Sequence, residues 1–278
     1  MPRFHVDGPL SVGQLLTLPD DVVRHVHVLR LQTGDAITLF DGRGGEYRAE
    51  LIDIAKRAAS PRIDEYDDRE AQPPYRVTLA QGVAGGDKMD WLIEKAVELG
   101  VWAITPITAE LGVVRLAGER ALRRQAHWQA ITRAACEQCG RNRVPDVAPP
   151  GDLDAWLNTL PTAVDGEWRR LSPRAEVSFA SLPAHAPDGP VTLAIGPEAG
   201  FSPAEEERSS RRAFAPSALV RVYCARRRRA SRYSERSRHA GAVGEAARYA
   251  LSVPADGHAK TKKARWARLP GCIHRAFR

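Results

Sequence analysis

The chain has 278 residues, 43% of them hydrophobic and 27% charged, a globular composition that excludes collagen-like and wholly disordered classes and fits two domains or one large one. Its net charge of +7 conceals an asymmetry: residues 208–278 hold 16 Arg and 3 Lys against Glu235, Glu245 and Asp256, a net +16 that leaves −9 for the remainder. A mildly acidic body with a strongly basic tail points to nucleic acid as partner, because Lys and Arg gain affinity by releasing counterions from phosphates.

In chain order, the first 66 residues read as small β structure. Short apolar runs (Ala36 to Phe40, Tyr47 to Ile54) alternate with turn signals such as Thr33-Gly34-Asp35 and Asp41-Gly42-Arg43-Gly44-Gly45, the spacing of a compact barrel or sandwich. Between them, Pro19 to Arg30 predicts a short helix with Val22, Val23, Val26 and Leu29 on one face. The acidic, Pro-Pro-containing stretch Asp64 to Pro74 reads as a linker, which puts a domain boundary at residue 72. Beyond it the spacing predicts a strand at Val77 to Val83, and a helix at Asp87 to Leu99 with Trp91, Leu92, Lys95, Ala96 and Leu99 at helical spacing, capped by Gly100. A strand at Trp102 to Ile107, a long helix at Glu119 to Glu137 and a short helix at Leu153 to Leu157 follow. Strands at Thr162 to Asp165 and Val191 to Ile195 and a helix opening at Ser202-Pro203 complete the pattern. Strands alternating with helices indicate a mostly parallel α/β domain.

The sharpest local feature is Val191 to Pro203, a β-rich run ending in Gly196-Pro197-Glu198-Ala199-Gly200 before an N-cap Ser202 with Pro203 at N1. Ligands of open α/β sheets bind beyond the carboxyl ends of strands, so this loop is placed either to wrap a cofactor or to serve as an ordinary strand-to-helix turn. It is neither a phosphate loop nor a dinucleotide fingerprint, since it lacks Gly-Lys-Ser/Thr and G-x-G-x-x-G. Lys88 to Val101 reads as an amphipathic helix with solvated charges. Glu137-Gln138-Cys139-Gly140-Arg141-Asn142-Arg143 is a polar, basic loop suited to phosphate or base contact, or simply a solvated surface loop. Cys136-x-x-Cys139 lacks a second ligand pair for zinc and falls at a helix end rather than a redox turn, so it reads as incidental and no metal is expected. The four cysteines, with Cys224 and Cys272, are expected to be reduced thiols. No stretch has the roughly 18 uncharged apolar residues of a membrane helix. The opening Met1-Pro2-Arg3-Phe4-His5 lacks the order of a secretory signal, so a cytoplasmic protein with no membrane association is expected.

Together these segments resemble the RsmE family of 16S ribosomal RNA methyltransferases. Met1 to Phe4, His25 to Leu31 and Leu39 to Tyr47 are similar to that family's PUA-like RNA-binding barrel. Lys88 to Val101, Glu137 to Arg141 and Ile195 to Gly200 are similar to its methyltransferase motifs in order and spacing. The resemblance implies a PUA-like β-barrel over residues 1–72 with its linker and a SPOUT-type α/β knot methyltransferase domain over 73–207. It also implies S-adenosylmethionine as methyl donor, N3 of a uridine in the small-subunit rRNA as target, and a homodimer. It makes Ile195, Gly196, Pro197, Glu198, Ala199 and Gly200 the cofactor loop, Glu137 and Arg141 catalytic candidates, and Arg3, Arg24, Arg30, Arg141 and Arg143 RNA contacts.

Two departures stand out. Ala199 replaces a usual Gly, and after Glu207 the family's short strand, second cofactor loop (Leu-Gly-x-Arg-Ile-Leu-Arg-x-Glu-Thr-Ala) and closing apolar helix are expected. Instead Ala225 to His239 carries the four consecutive arginines Arg226 to Arg229. The abrupt gain of Arg over residues 208–278 predicts a reading-frame shift near residues 208–220; a genuine basic RNA-binding extension is the alternative. A shifted frame implies an exposed tail, an unclosed knot and a weakened dimer, so the rival to the enzyme is a non-catalytic RNA-binding relative without a working cofactor site.

Overall fold

The computed structural model describes residues 1–73, 76–161, 166–172, 175 and 189–217. They form two compact units: Met1–Gln72 with Ala130–Val144, and Pro73–Gln129 with the described residues from Pro145 onward. Residues 130–144, which a boundary at residue 72 assigns to the second domain, therefore pack with the first.

In the first unit β1 (Arg3–His5), β2 (Ala36–Phe40), β3 (Glu46–Ala55) and β4 (Ala58–Asp67) form one sheet in chain order. β1 pairs with β2 in parallel, and the other pairs are antiparallel. The helix α1 (Asp20–Val28) buries Val22, Val23 and Val26 against Phe4, Ile37, Leu39, Leu51 and Ile63. Leu29, expected on that face, is the C-cap residue and is 48% exposed, because the helix ends one residue before it. The predicted linker also begins too early, since Asp64 to Asp67 complete β4. Their charges lie on an exposed strand end while Tyr66 packs its ring on Tyr47, 4.9 Å between centroids.

The second unit is built on a sheet of order β11 (Ala215–Ser217), β9 (Glu167–Leu171), β10 (Val191–Ile195), β5 (Val77–Gly82), β6 (Ala103–Thr108), β7 (Asp146–Val147), with β8 (Gly151–Asp152) also on β6. All these pairs are parallel. The inner strands are nearly continuous apolar runs, as expected of strands covered on both faces. The helix α2 (Lys88–Glu98) buries Met89, Leu92, Ile93, Ala96 and Val97. The observed stripe is thus displaced from the predicted one, and Trp91 and Leu99 lie at its margin. Gly100 takes φ +92°, Gly100 N donates to Val97 O and Val101 N to Ala96 O, the paired bonds of a Schellman cap.

The long helix α3 (Gly118–Cys139) is fastened to α2 by Asp90, whose carboxylate accepts from Trp128 Nε1 at 3.0 Å and meets His127 Nε2 at 2.7 Å. The helices α4 (Leu153–Thr159) and α5 (Pro203–Arg211) share a core with the sheet: Leu153, Trp156, Leu157, Trp168, Phe201 and Phe214 pack on Ala80, Ile107 and Ala194. Residues 208–217, placed in the divergent tail by the sequence, complete α5, bury Phe214 and pair β11 with β9. The predicted strand at Thr162 to Asp165 and the arginine run of 226–229 lie outside the described residues. Among the described residues no helix is long and apolar enough to cross a membrane.

Candidate active site

The carboxyl ends of β5, β6 and β10 meet at the loop 196–201. Ile195 pairs with Gln81 and Gly82 with Ile107, so the loops that leave these strands start side by side. Gly196 and Pro197 are buried against the end of β5: a Cβ on Gly82 would stand 2.3 Å from Pro197 N and 2.7 Å from Gly196 C. The loop turns on a Gly200 N to Pro197 O bond of 2.8 Å, with Gly200 at φ +77°. Only a residue without a Cβ adopts that conformation at little cost.

Two carboxylates tie this loop to its neighbours. Glu198 accepts from Gly85 N at 3.2 Å and Lys88 Nζ at 3.0 Å. Burial works against its charge, but its own backbone N–H, Lys88 and Gly85 outweigh that, and the carboxyl lies below its ordinary pKa. On the far side Ser202 caps α5 reciprocally with Glu205: Glu205 N donates to Ser202 Oγ at 3.1 Å and Ser202 N to Glu205 Oε2 at 2.8 Å. The same buried Glu205 accepts from Glu110 N at 2.8 Å, in the loop after β6. Glu110 in turn accepts from Ser202 Oγ and from Arg208 Nη2. The loop 196–201 is thus clamped between the loops that follow β5 and β6.

The other predicted site residues fall in the first unit. Glu137, half-buried, accepts from His5 N at 2.8 Å, and burial raises its pKa above the usual carboxylate value. Arg141 is 3% exposed; its guanidinium donates to Gln72 and burial lowers its pKa. Asn142 is fully buried, accepting from Arg3 and donating to Arg69 O at 2.7 Å. Arg3 also pairs with Glu46. Arg24 and Arg30 are exposed, and Arg143 is exposed beside Glu70. The structure thus brings Arg3 and Arg141 inward with Asn142 and leaves Arg24, Arg30 and Arg143 on the surface. Burial pushes the Cys136 thiol up to about 12, so it is an inert core thiol. Among the described residues no cluster of three or more His, Cys, Asp or Glu could hold a metal ion.

Comparison with known proteins shows the family. The sequence model of an RNA methyltransferase domain matches residues 71–221, and that of an RNA methyltransferase PUA domain matches residues 18–60. Ribosomal RNA small subunit methyltransferase E of Bacillus subtilis is 32% identical over 219 residues, 75% of this chain and 84% of the relative. The chain belongs to the ribosomal RNA small subunit methyltransferase E family. Its fold is also that of solved family members. A ribosomal RNA small subunit methyltransferase E from Neisseria gonorrhoeae, crystallised with S-adenosylmethionine, superposes with a TM-score of 0.76 at 34% identity, covering 90% of this chain and 98% of that one. A Legionella pneumophila methyltransferase bound to the same cofactor gives 0.77 at 30% identity over 89% and 97%. The family match runs to residue 221, past the break expected after Glu207.

The loop 195–200 stands out in the sequence, whereas the residues that hold it do not. Glu205 carried a local signal, the Ser-x-x-Glu spacing of a capping box. Gly82, Gly85 and Glu110 carried none, since their partners are remote in sequence.

Proposed function

We propose that the chain transfers a methyl group from S-adenosylmethionine to N3 of a uridine in the 16S rRNA of the small subunit, acting in the cytoplasm as a homodimer. The observation that supports this best is the clamped loop Ile195 to Gly200 at the carboxyl edge of a parallel sheet in a chain of this family. The loop fits the cofactor: no heavy atom lies within 4 Å of the Cβ position of Gly200, so its backbone is open to a ligand there. Ile195, Gly196, Pro197, Glu198, Ala199 and Gly200 would hold the cofactor through backbone N–H and C=O groups. Bound there, S-adenosylmethionine supplies a methyl on a sulfonium centre for in-line displacement.

The chain's own part is to bind, orient and deprotonate. Glu137, the candidate that the family motif Glu137 to Arg141 offers as acceptor of the N3 proton, accepts from His5 N, and burial raises its pKa in the direction general-base work favours. Glu137→Gln is expected to lower kcat/KM by about 100-fold or more and to remove the acidic limb of the pH–rate profile. Because the pKa is raised, that limb should begin above the pH at which an ordinary glutamate titrates. An unchanged limb in the variant would assign the base elsewhere.

Arg24, Arg30 and Arg143 are offered as RNA contacts, while the inward Arg3 and Arg141 maintain the first unit. Neutralising Arg24 or Arg30 should weaken RNA binding and reduce the slope of log K against log salt by about 0.7–0.9. Arg141→Met should leave that slope unchanged and lower stability by about 1–3 kcal/mol, the cost of groups left buried without their partner. A reduced slope for Arg141→Met would return this residue to the RNA surface.

The decisive test is mass spectrometry of 16S rRNA from a strain lacking the gene, with and without this chain supplied. Restored 3-methyluridine at one nucleotide supports the enzyme. No change supports the second reading, a non-catalytic RNA-binding relative, which rests on the arginine-rich sequence of 225–239. Resequencing the gene across codons 205 to 225 then separates a shifted frame from a genuine basic extension.

A further inference from the structure

Gln81 is an unusual occupant of its position. It lies in the inner strand β5 between Ile195 of β10 and Pro106 of β6, and it is fully buried where an aliphatic residue would be ordinary. Its Nε2 donates to Gly82 O at 2.9 Å and reaches Gly196 O at 3.4 Å. Those two carbonyls fix the amide's orientation, since a flipped amide would set Oε1 against both. Oε1 is then left buried with no partner. One other side chain that is not an arginine shares this condition. Apart from arginine nitrogens, the buried side-chain polar atoms without a partner among the described residues are Gln81 Oε1 and Thr108 Oγ1. Both come from the carboxyl ends of adjacent parallel strands. Ala80 and Ile107 face the core shared with α4 and α5, so by alternation Gln81 and Thr108 share the opposite face. Buried polar groups are almost always paired, and two orphans on one face of adjacent strand ends, where α/β proteins bind ligands, call for a common partner.

We infer that Gln81 and Thr108 form the polar floor of the S-adenosylmethionine site, with Gln81 as a positioning residue. Its Nε2 sets the first carbonyl of the loop, Gly196 O, and its Oε1 accepts a hydrogen bond from the bound cofactor, which carries N–H and O–H donors on its adenine, ribose and amino-acid parts. Thr108 Oγ1 completes the floor with a hydroxyl that both donates and accepts. The inference rests on the cofactor reading above and extends it to side chains outside the loop.

The test uses the full chain, with calorimetric titration of S-adenosylmethionine and S-adenosylhomocysteine and thermal melting without ligand. Gln81→Met keeps the volume and removes the orphan carbonyl. It should weaken both ligands about tenfold or more, while the ligand-free melting temperature falls only by what Gly82 O and Gly196 O lose with their donor. Thr108→Val should weaken binding and Thr108→Ser restore it, which keeps the inference testable if Gln81→Met fails to fold. Unaltered affinity in both Gln81→Met and Thr108→Val overturns it. So does a Thr108→Val protein whose ligand-free melting temperature falls in step with its affinity, the result expected if the two atoms only share a structural water. Failure of the unmodified chain to bind either ligand overturns the cofactor reading itself, and the inference with it.

Discussion

Gly82→Val is expected to abolish S-adenosylmethionine binding and to lower the melting temperature by several degrees. The new Cβ would stand 2.3 Å from Pro197 N, 2.4 Å from the Pro197 ring Cδ and 2.7 Å from Gly196 C, atoms fixed by the backbone itself. Backbone atoms in a clamped loop cannot swing aside, so the strain must move the loop away from β5. Overpacking of this kind costs about 1–3 kcal/mol, and each kcal/mol lowers the midpoint by roughly 2–4 °C at this size. The loop 196–201 would bear most of the displacement, because β5 is fixed on both sides by its ladders. Gly196→Val should act similarly, since its Cβ would stand 2.7 Å from Gly200 C and Phe201 N within the loop itself. Gly200→Ala is the contrasting case: it has room, and its cost is the left-handed backbone alone, about 1–2 kcal/mol. Calorimetry and melting on the three variants check this order. Wild-type affinity in Gly82→Val would show that the close approach is dispensable.

The second large effect is expected at Glu205. Its carboxylate accepts from Ser202 N and Glu110 N, both at 2.8 Å, and Glu205→Ala leaves both donors without it. At about 1–3 kcal/mol for each donor left unpaired, we expect a loss of about 2–6 kcal/mol in urea unfolding. Glu205→Gln keeps one acceptor oxygen and should lose about half as much. Because the loop 196–201 is held from this side, cofactor affinity should fall with stability in Glu205→Ala and partly recover in Glu205→Gln. Equal stability of all three proteins would assign the loop's position to Glu198 alone.

The elements legible in the sequence are those whose determinants are local. Ser202, Pro203 and Glu205 announce the start of α5 within four residues, and Gly100 its counterpart at the end of α2. The buried face of α2 was less legible. Met89, Ile93 and Val97 flank Leu92 and Ala96, and Trp91 and Leu99 complete an equally good apolar row, so only packing decides between them. Asp64 to Asp67 read as a linker because charge dominates the segment, whereas the strand spends its charges on solvent and keeps Tyr66 for Tyr47. β7 and β8, two residues each, are too short to show any period. Arg141 illustrates the limit for site residues. A basic residue in a polar loop reads as surface, and only its partner Gln72, 69 positions earlier, reveals a buried brace. Glu205 and Glu110, 95 positions apart, were hidden in the same way.

The division of the chain has a practical side. The first unit is not one stretch: it takes Met1–Gln72 and returns for Ala130–Val144, beginning partway along α3. A fragment cut at residue 72 would keep Arg3 and the His5 N–H but lose Asn142 and Glu137, which answer them. It would leave the Arg3 guanidinium and the His5 N–H without those partners, and such a fragment is a poor candidate for expression alone or for grafting onto another enzyme. Recombination at that point would deliver an incomplete module, so the RNA-binding portion can be inherited or exchanged only with a piece of helix encoded well inside the catalytic half of the gene.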